Sequence, residues 1–145
     1  MSVAKVHPDG LLLSKIARLV MKSGKLSVAE RIVDHAVGVI KQAQMDPTDT
    51  VSKAVMNASP VIETRSVKKG GSNYQVPFPI PPQRQSSMGM KLIIKSARKR
   101  KERGMGERLA AELILASQND GAAVKKRDEM HKIAQANRAY AAYRW

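Results

Sequence analysis

Apolar residues recur at intervals of three and four through most of the chain and switch to a period of two in one internal stretch. Over about residues 10–23, Leu12, Ile16, Leu19 and Val20 share one face while Lys15, Arg18 and Lys22 share another, which predicts an amphipathic helix ended by Gly24. Ser27-Val28-Ala29-Glu30 has the form of a capping box, so a second helix is expected from there to about Ala43, with Val28, Ile32, Ala36, Val39 and Ile40 inward. Asp46-Pro47 opens a third, turning Val51, Ala54, Val55 and Ala58 inward until Asn57 to Pro60 stop it. The period then changes. Within residues 61–80, Tyr74, Val76, Phe78 and Ile80 alternate with Gln75, Pro77 and Pro79, and Gly70-Gly71 supplies a turn. Residues two apart point their backbone N–H groups the same way, so Pro77 and Pro79 strip the donors from one edge of this strand. It can pair only on its other edge, as in a two-stranded ribbon. An isolated ribbon is marginal in water and must lean on the helices or on a partner.

Pro79, Pro81 and Pro82 stiffen the exit from the ribbon, and Arg84 to Ser87 form a polar approach to a fourth helix with Met90, Ile93, Ile94 and Ala97 as its apolar stripe. Gly104 and Gly106 end it. A fifth helix, about 106–119, presents Leu109, Leu113, Ile114 and Ala116, and Asn119-Asp120-Gly121 is its stop signal. The last, about 122–142, carries Met130, Ile133, Ala134, Asn137 and Ala141 on one side. The expected fold is mainly α: a bundle of about six helices with one protruding two-stranded β-hairpin between helices 3 and 4. A chain of 145 residues suits a single domain, 1–145, able to bury roughly two thirds of its unfolded surface.

Charge changes this picture most. Twenty-six Lys and Arg against twelve Asp and Glu give a net charge of +14, with an isoelectric point near 10.4. Such an excess attracts polyanions over long range, nucleic acid first among them. No apolar run approaches the about 20 residues needed to span a bilayer, so no membrane partner is expected. The absence of cysteine excludes disulfides, thiolate nucleophiles and Cys-based zinc sites, and eight Met serve as core filler where aromatics are scarce. The N-terminal Met1-Ser2-Val3-Ala4-Lys5-Val6 has neither a secretory core nor an Arg-rich presequence. On that reading the chain works where it is made, or a transit segment lies outside this sequence.

No catalytic constellation emerges. His7, His35 and His131 lie far apart with no second ligand at helical spacing. Ser66 with Lys69 and Ser96 with Lys99 match a Ser-x-x-Lys spacing, but this short pattern recurs by chance in Lys-rich chains and lacks its companion motifs. Gly104-Met105-Gly106 lacks the third glycine and the preceding strand of a dinucleotide loop. The chain is read as non-enzymatic, with no cofactor, metal or small-molecule substrate.

Binding to a phosphate backbone needs only many cations on one rigid surface, since each neutralised phosphate releases counterions. Lys15, Arg18 and Lys22 form one row, Lys91, Lys95, Arg98 and Lys99 another, and Arg65, Lys68 and Lys69 crown the ribbon. Charge on an amphipathic helix ordinarily marks a solvated face, but such faces mix signs. Between Arg84 and Arg103 there are eight bases and one acid, Glu102, which favours a polyanion site. In the sixth helix Asp128 and Glu129 dilute Lys125, Lys126 and Arg127, and the two readings stay balanced. A basic ribbon beside a cationic helix suits irregular RNA better than a repeated major groove, and a DNA-binding helical regulator is the alternative. Tyr74 and Phe78 are either stacking platforms for bases or part of a face buried against the helices; their alternation with Val76 and Ile80 favours burial.

The order of helices around one inserted ribbon carries a family resemblance, together with several separated motifs. These are Gly24-Lys25, Gly70-Gly71-Ser72-Asn73-Tyr74-Gln75-Val76-Pro77, Ala97-Arg98-Lys99-Arg100, Ala123-Val124-Lys125-Lys126-Arg127, Ala136-Asn137-Arg138-Ala139 and Tyr143-Arg144-Trp145. From about residue 10 onward the chain resembles small-subunit ribosomal protein seven of the bacterial and organellar type. The resemblance implies a structural protein of translation that binds the 3′ major (head) domain of small-subunit ribosomal RNA and nucleates head assembly. It implies a ribbon near the exit-site transfer RNA and the messenger RNA path, beside platform protein eleven. Carried onto this chain, Lys15, Arg18, Lys22, Lys25, Arg65, Lys68, Lys69, Arg84, Lys91, Lys95, Arg98 and Lys99 become ribosomal-RNA candidates. Lys68, Lys69, Gly70, Gly71, Ser72 and Asn73 become the transfer-RNA-proximal tip. The chain departs from the family pattern in a shorter basic N-terminal arm, in Leu26 where a second base is usual, and in the proline-rich run Pro77 to Pro82. That run looks closer to mitochondrial versions, so the expected location is the ribosome of the mitochondrial matrix, with the bacterial cytoplasm as the alternative.

Overall fold

Each apolar stripe on this chain is too narrow to be satisfied alone, so the helices bury their stripes against one another. A computed structural model of the chain describes residues 10–144; the N-terminal segment with His7, and Trp145, lie outside the described residues. Six α-helices follow in order: α1 (Gly10–Val20), α2 (Leu26–Gln42), α3 (Pro47–Ala58), α4 (Pro82–Arg98), α5 (Met105–Ser117) and α6 (Ala122–Ala136). Between α3 and α4 stand β1 (Ile62–Lys69) and β2 (Ser72–Pro79), and a 3-10 helix, Arg138–Tyr143, follows α6. The expected architecture, mainly α with a hairpin between the third and fourth helices, is the one observed.

Helix α5 is the hub, packed against α2, α3 and α4. Its Leu109, Ala110, Leu113 and Ala116 are buried among Ile40, Val51, Ala54 and Ile93. Small residues bring these helices close. A methyl group at Gly89 of α4 would lie 2.9 Å from the Val55 carbonyl oxygen of α3. Polar groups at the helix ends are taken up by neighbouring helices. Asn57 Nδ2 of α3 donates to the carbonyls of Ala116 and Ser117 at 2.9 and 3.3 Å, and Ala123 N–H at the start of α6 donates to the buried Glu112 carboxylate at 2.9 Å. The charge on Glu112 is balanced by Arg100, whose Nη1 lies 3.2 Å away.

The predicted stripes of α3 and α4 are buried in full. Helix α2 differs. The capping box does not form; the helix starts at Leu26 with Lys25 at its N-cap and no side chain capping it. Ser23 and Gly24 take positive φ (54° and 71°), which turns the chain into the helix before Ser27 is reached. Ala29, Val33, Ala36, Val37 and Ile40 then face the core, while Val28 is exposed and Ile32 and Val39 pack only at its margin. Helix α1 likewise buries Leu13 and Ala17 beside Ile16 and Val20, leaving Leu12 and Leu19 half-buried.

The last helix also ends earlier than periodicity predicts, at Ala136. Asn137 Nδ2 takes the Ile133 carbonyl at 2.8 Å, and the chain tightens to 3-10 geometry. With three residues per turn, Tyr140 and Tyr143 fall on one side, and both meet Tyr74 of β2, at ring-centroid distances of 5.2 and 5.1 Å. Ile133 is exposed, and Asn137 and Ala141 are half-buried rather than core.

The ribbon is antiparallel, and its register pairs Lys69 with Ser72, Val67 with Tyr74, Thr64 with Pro77 and Ile62 with Pro79. Gly70 and Gly71 both have positive φ (58° and 81°), as a tight two-residue hairpin turn requires. Ile80 N–H donates to the Val61 carbonyl at 3.0 Å, which makes odd-numbered β1 residues the hydrogen-bonded pairs. Pro77 therefore sits at a non-hydrogen-bonded position, where its missing donor costs the ladder nothing.

Candidate nucleic-acid interface

The cationic rows of α1 and α4 lie side by side. Neither helix contains an acid. One groove between them is lined by Lys15, Arg18, Leu19 and Met90, and the next by Leu19, Lys91, Ile94, Lys95 and Arg98. Leu19 belongs to both, so the two rows form one surface over an apolar floor. Arg98 Nη2 also reaches the Val20 carbonyl at the end of α1, at 3.5 Å. A third concavity continues the surface past Arg98 to Lys22, Lys25 and Arg108. Lys15, Arg18, Lys22, Lys25, Lys91, Lys95, Arg98 and Lys99 are all exposed.

Helix α6 adds a residue that sequence reasoning left undecided. Lys126 stands beside Lys99 at the end of α4. That contact, then the charge of Lys99, then burial, hold its pKa below the usual lysine value, with Lys95 adding to the shift and Glu129 only partly opposing it. Its neighbour Arg127 serves the fold instead, donating to the Asn57 carbonyl and, at 2.6 Å, to Asp128. Only the packing of α6 on α4 separates these roles; adjacent positions on one helix face different neighbours. Arg108, which sequence analysis did not single out, enters the surface because α5 starts beside the end of α4.

The ribbon's bases are partly engaged within the protein. Glu63 is buried, and Arg65 donates to its Oε1 through Nε at 2.9 Å and Nη2 at 2.8 Å, while Arg84 Nη1 reaches the same oxygen. Burial pushes the Glu63 carboxyl up, but hydrogen bonds from Arg84 and Arg65 and their charges together outweigh it and hold the pKa below the ordinary carboxylate value. Two guanidiniums against one carboxylate leave a net positive charge there. Arg65 also covers the Phe78 ring at 5.1 Å, and Lys69 lies 4.8 Å from the Tyr143 ring centroid. Tyr74 packs in the tyrosine cluster. Alternation places Lys68, with its cross-strand partner Asn73, on the opposite face from Tyr74, Val76 and Phe78, and both are exposed.

The motifs with a catalytic spacing are not assembled into a site. Ser96 is buried, and its Oγ has no hydrogen-bond partner among the described residues. His35 pairs with Glu107 at 3.3 Å, and His131 Nε2 accepts from Val61 N–H at 3.1 Å, fastening the ribbon's base to α6.

Comparison with known proteins decides the family. The model of the family described as Ribosomal protein S7p/S5e matches residues 2–138. The chain belongs to that family. It is 45% identical over 146 residues to the small ribosomal subunit protein uS7 of Dictyoglomus turgidum, covering 97% of this chain and 94% of that one. The uS7 proteins of Dechloromonas aromatica and Nitrosococcus oceani are 47% and 46% identical, covering 92% and 97% of this chain and 86% and 94% of their own lengths. Membership makes this a ribosomal protein of the small-subunit type and not an enzyme. These relatives are bacterial and give no support to the mitochondrial location expected from the proline-rich run. In the fold, Pro77 and Pro79 have a local explanation in the ribbon's register.

Proposed function

We propose that this chain is a structural component of the small ribosomal subunit that binds the 3′ major domain of its RNA and helps nucleate the subunit head. The α1–α4–α6 surface grips phosphates, and the ribbon tip from Lys68 to Asn73 lies near the exit-site transfer RNA and messenger RNA path, beside protein eleven. The observation that carries the reading is the crowding of like charges. Lys126 of α6 stands beside Lys99 and near Lys95 of α4, on a surface where α1 and α4 supply no acid. A solvated face would relieve that repulsion with interspersed carboxylates; a phosphate backbone relieves it by occupying the surface. Specificity then comes from shape, because phosphate contacts position without reading sequence.

The test is binding to a transcript of a bacterial 3′ major domain across a salt series. Six or more phosphate contacts predict a loss of about 1,000-fold or more between roughly 50 and 200 mM salt. An affinity that is flat in salt, or equal for an unrelated RNA of the same length, would overturn the proposal.

A further inference from the structure

The concavity where α1, α2, α4 and α5 meet differs from the grooves between α1 and α4 in gathering four cations, two of them arginines, around its apolar walls. Its volume is about 340 Å3, within the range of about 300–1,000 Å3 typical of small-molecule sites. Met21, Val28, Ile32 and Met105 contribute the walls. Lys22, Lys25, Arg98 and Arg108 stand among them, and no lining residue is acidic. Neither arginine forms a salt bridge among the described residues, and each reaches a backbone carbonyl, although the Glu102 carboxylate lies close enough to feel the charge of Arg108. Arg98 Nη2 is bonded to the Val20 carbonyl at 3.5 Å and Arg108 Nε to the Glu102 carbonyl at 2.9 Å, while the Glu102 carboxylate is taken by Arg100 at 2.7 Å. Arg65, Arg84, Arg100 and Arg127, in contrast, all spend hydrogen bonds on carboxylates. The N-terminus of α2 opens beside Lys25 with no side-chain cap, adding its dipole to the same rim.

We propose that this cleft receives one unstacked base of the bound RNA, its flanking phosphates held by Lys22, Lys25, Arg98 and Arg108. The inference rests on the RNA-binding reading and deepens it. A duplex phosphate backbone needs only the exposed cations of α1 and α4; an apolar hollow ringed by four donors matches a group with two flat apolar faces and an anionic tether. Guanidinium planes and methionine thioethers provide the stacking surfaces in the absence of an aromatic ring. Lys and Arg are donors only, so the base would present acceptor atoms to the rim.

The experiment uses the full chain and a transcript of a bacterial 3′ major domain. Each unpaired nucleotide is replaced in turn by an abasic one, and the affinity of the wild-type protein is measured at fixed salt. One position is expected to lose affinity about tenfold, the scale of a single lost base stack. Against Val28→Trp, which fills the cleft from an exposed wall residue and removes no charge, intact RNA is expected to bind about tenfold more weakly with an unchanged salt slope, and the abasic effect is expected to vanish. If no abasic position matters to the wild-type protein, or the effect persists in Val28→Trp, the cleft is not a base site even though the RNA binds. If the wild-type protein shows no salt-dependent affinity for the transcript, the RNA-binding reading itself has failed. The abasic series needs no variant protein, so misfolding of Val28→Trp leaves the proposal testable.

Discussion

Arg144 Nε donates to the Pro77 carbonyl at 2.8 Å, across 67 positions of sequence. Pro77 sits opposite Thr64 at a non-hydrogen-bonded position, so its carbonyl faces away from β1. The edge that proline deprives of donors keeps its acceptors, and the tail supplies the donor. Tyr140 and Tyr143 close on Tyr74 alongside, which joins the chain's end to the ribbon's midpoint.

Replacing Arg144 with Ala exposes the Pro77 carbonyl to water, so the global cost is expected to be about 1 kcal/mol or less. The effect is expected to be local. Amide exchange at Val67 and Val76 should quicken while that at Leu109 and Leu113 in α5 holds. Equal acceleration at all four would show that the tail belongs to the global cooperative unit.

Glu63 links pH to stability. Its folded pKa lies below its unfolded value, so the ionised carboxylate stabilises the fold above the ordinary carboxylate range, and the contribution is lost as pH falls through the depressed value. Glu63→Gln is expected to cost about 1–2 kcal/mol near neutral pH, between the values for exposed pairs and for broken buried pairs, because both arginines are 45% exposed. Denaturation midpoints of wild type and variant should converge in strong acid. A gap that persists there would mean that shape, not charge, holds Arg65 and Arg84.

The α3 and α4 stripes and the ribbon were legible in the sequence because nothing competes with their periods: Val51, Ala54, Val55 and Ala58, and Met90, Ile93, Ile94 and Ala97, have no alternative apolar face. Helix α2 offered two, and the choice was made by Ser23 and Gly24 in left-handed backbone, which a capping-box reading of Ser27 to Glu30 does not register. The end of α6 was decided by a tertiary contact, Tyr140 and Tyr143 with Tyr74, which has no local signal. Among site residues, the rows of α1 and α4 were readable as cation runs without acids. That Arg65 and Arg84 share one buried carboxylate, and that Lys126 joins Lys99, depends on which elements meet.

Gly89 and Gly106 are both packed too closely for a methyl group, but against different obstacles. At Gly89 a Cβ would lie 2.9 Å from the Val55 carbonyl oxygen and 3.1 Å from Ser59 Cα, which are backbone. At Gly106 the nearest atoms all belong to the side chain of His35, Cδ2 at 2.5 Å, Cγ at 3.0 Å and Cβ at 3.1 Å, and that side chain is 59% exposed. Gly89→Ala is expected to destabilise by about 1–3 kcal/mol, whereas in Gly106→Ala the ring can move and a helix-propensity gain of up to about 1 kcal/mol offsets the strain. Thermal denaturation of the two variants checks the ranking.

The two tip lysines are expected to separate by function. Lys69 lies over Tyr143, so Lys69→Ala should lower stability by about 0.5–1 kcal/mol, whereas Lys68, on the opposite face, should leave it unchanged. On subunits carrying each variant, Lys68→Ala is expected to weaken exit-site transfer RNA retention with no change in melting. Retention unchanged by Lys68→Ala would remove the tip from the transfer RNA's surroundings.

Lys126→Gln distinguishes an RNA surface from a solvated one most directly. Its lowered pKa means that the charged form is disfavoured in the folded state; for a lysine, that penalty is present below the folded pKa and disappears only above the unfolded one. At neutral pH the substitution should therefore leave the free protein as stable as wild type or more so. Binding to the 3′ major domain should weaken at the same time, with the salt slope shallower by about 0.7–0.9, the signature of one lost phosphate contact. A variant that is stabilised yet binds with an unchanged slope would place Lys126 outside the interface and confine the RNA to α1 and α4.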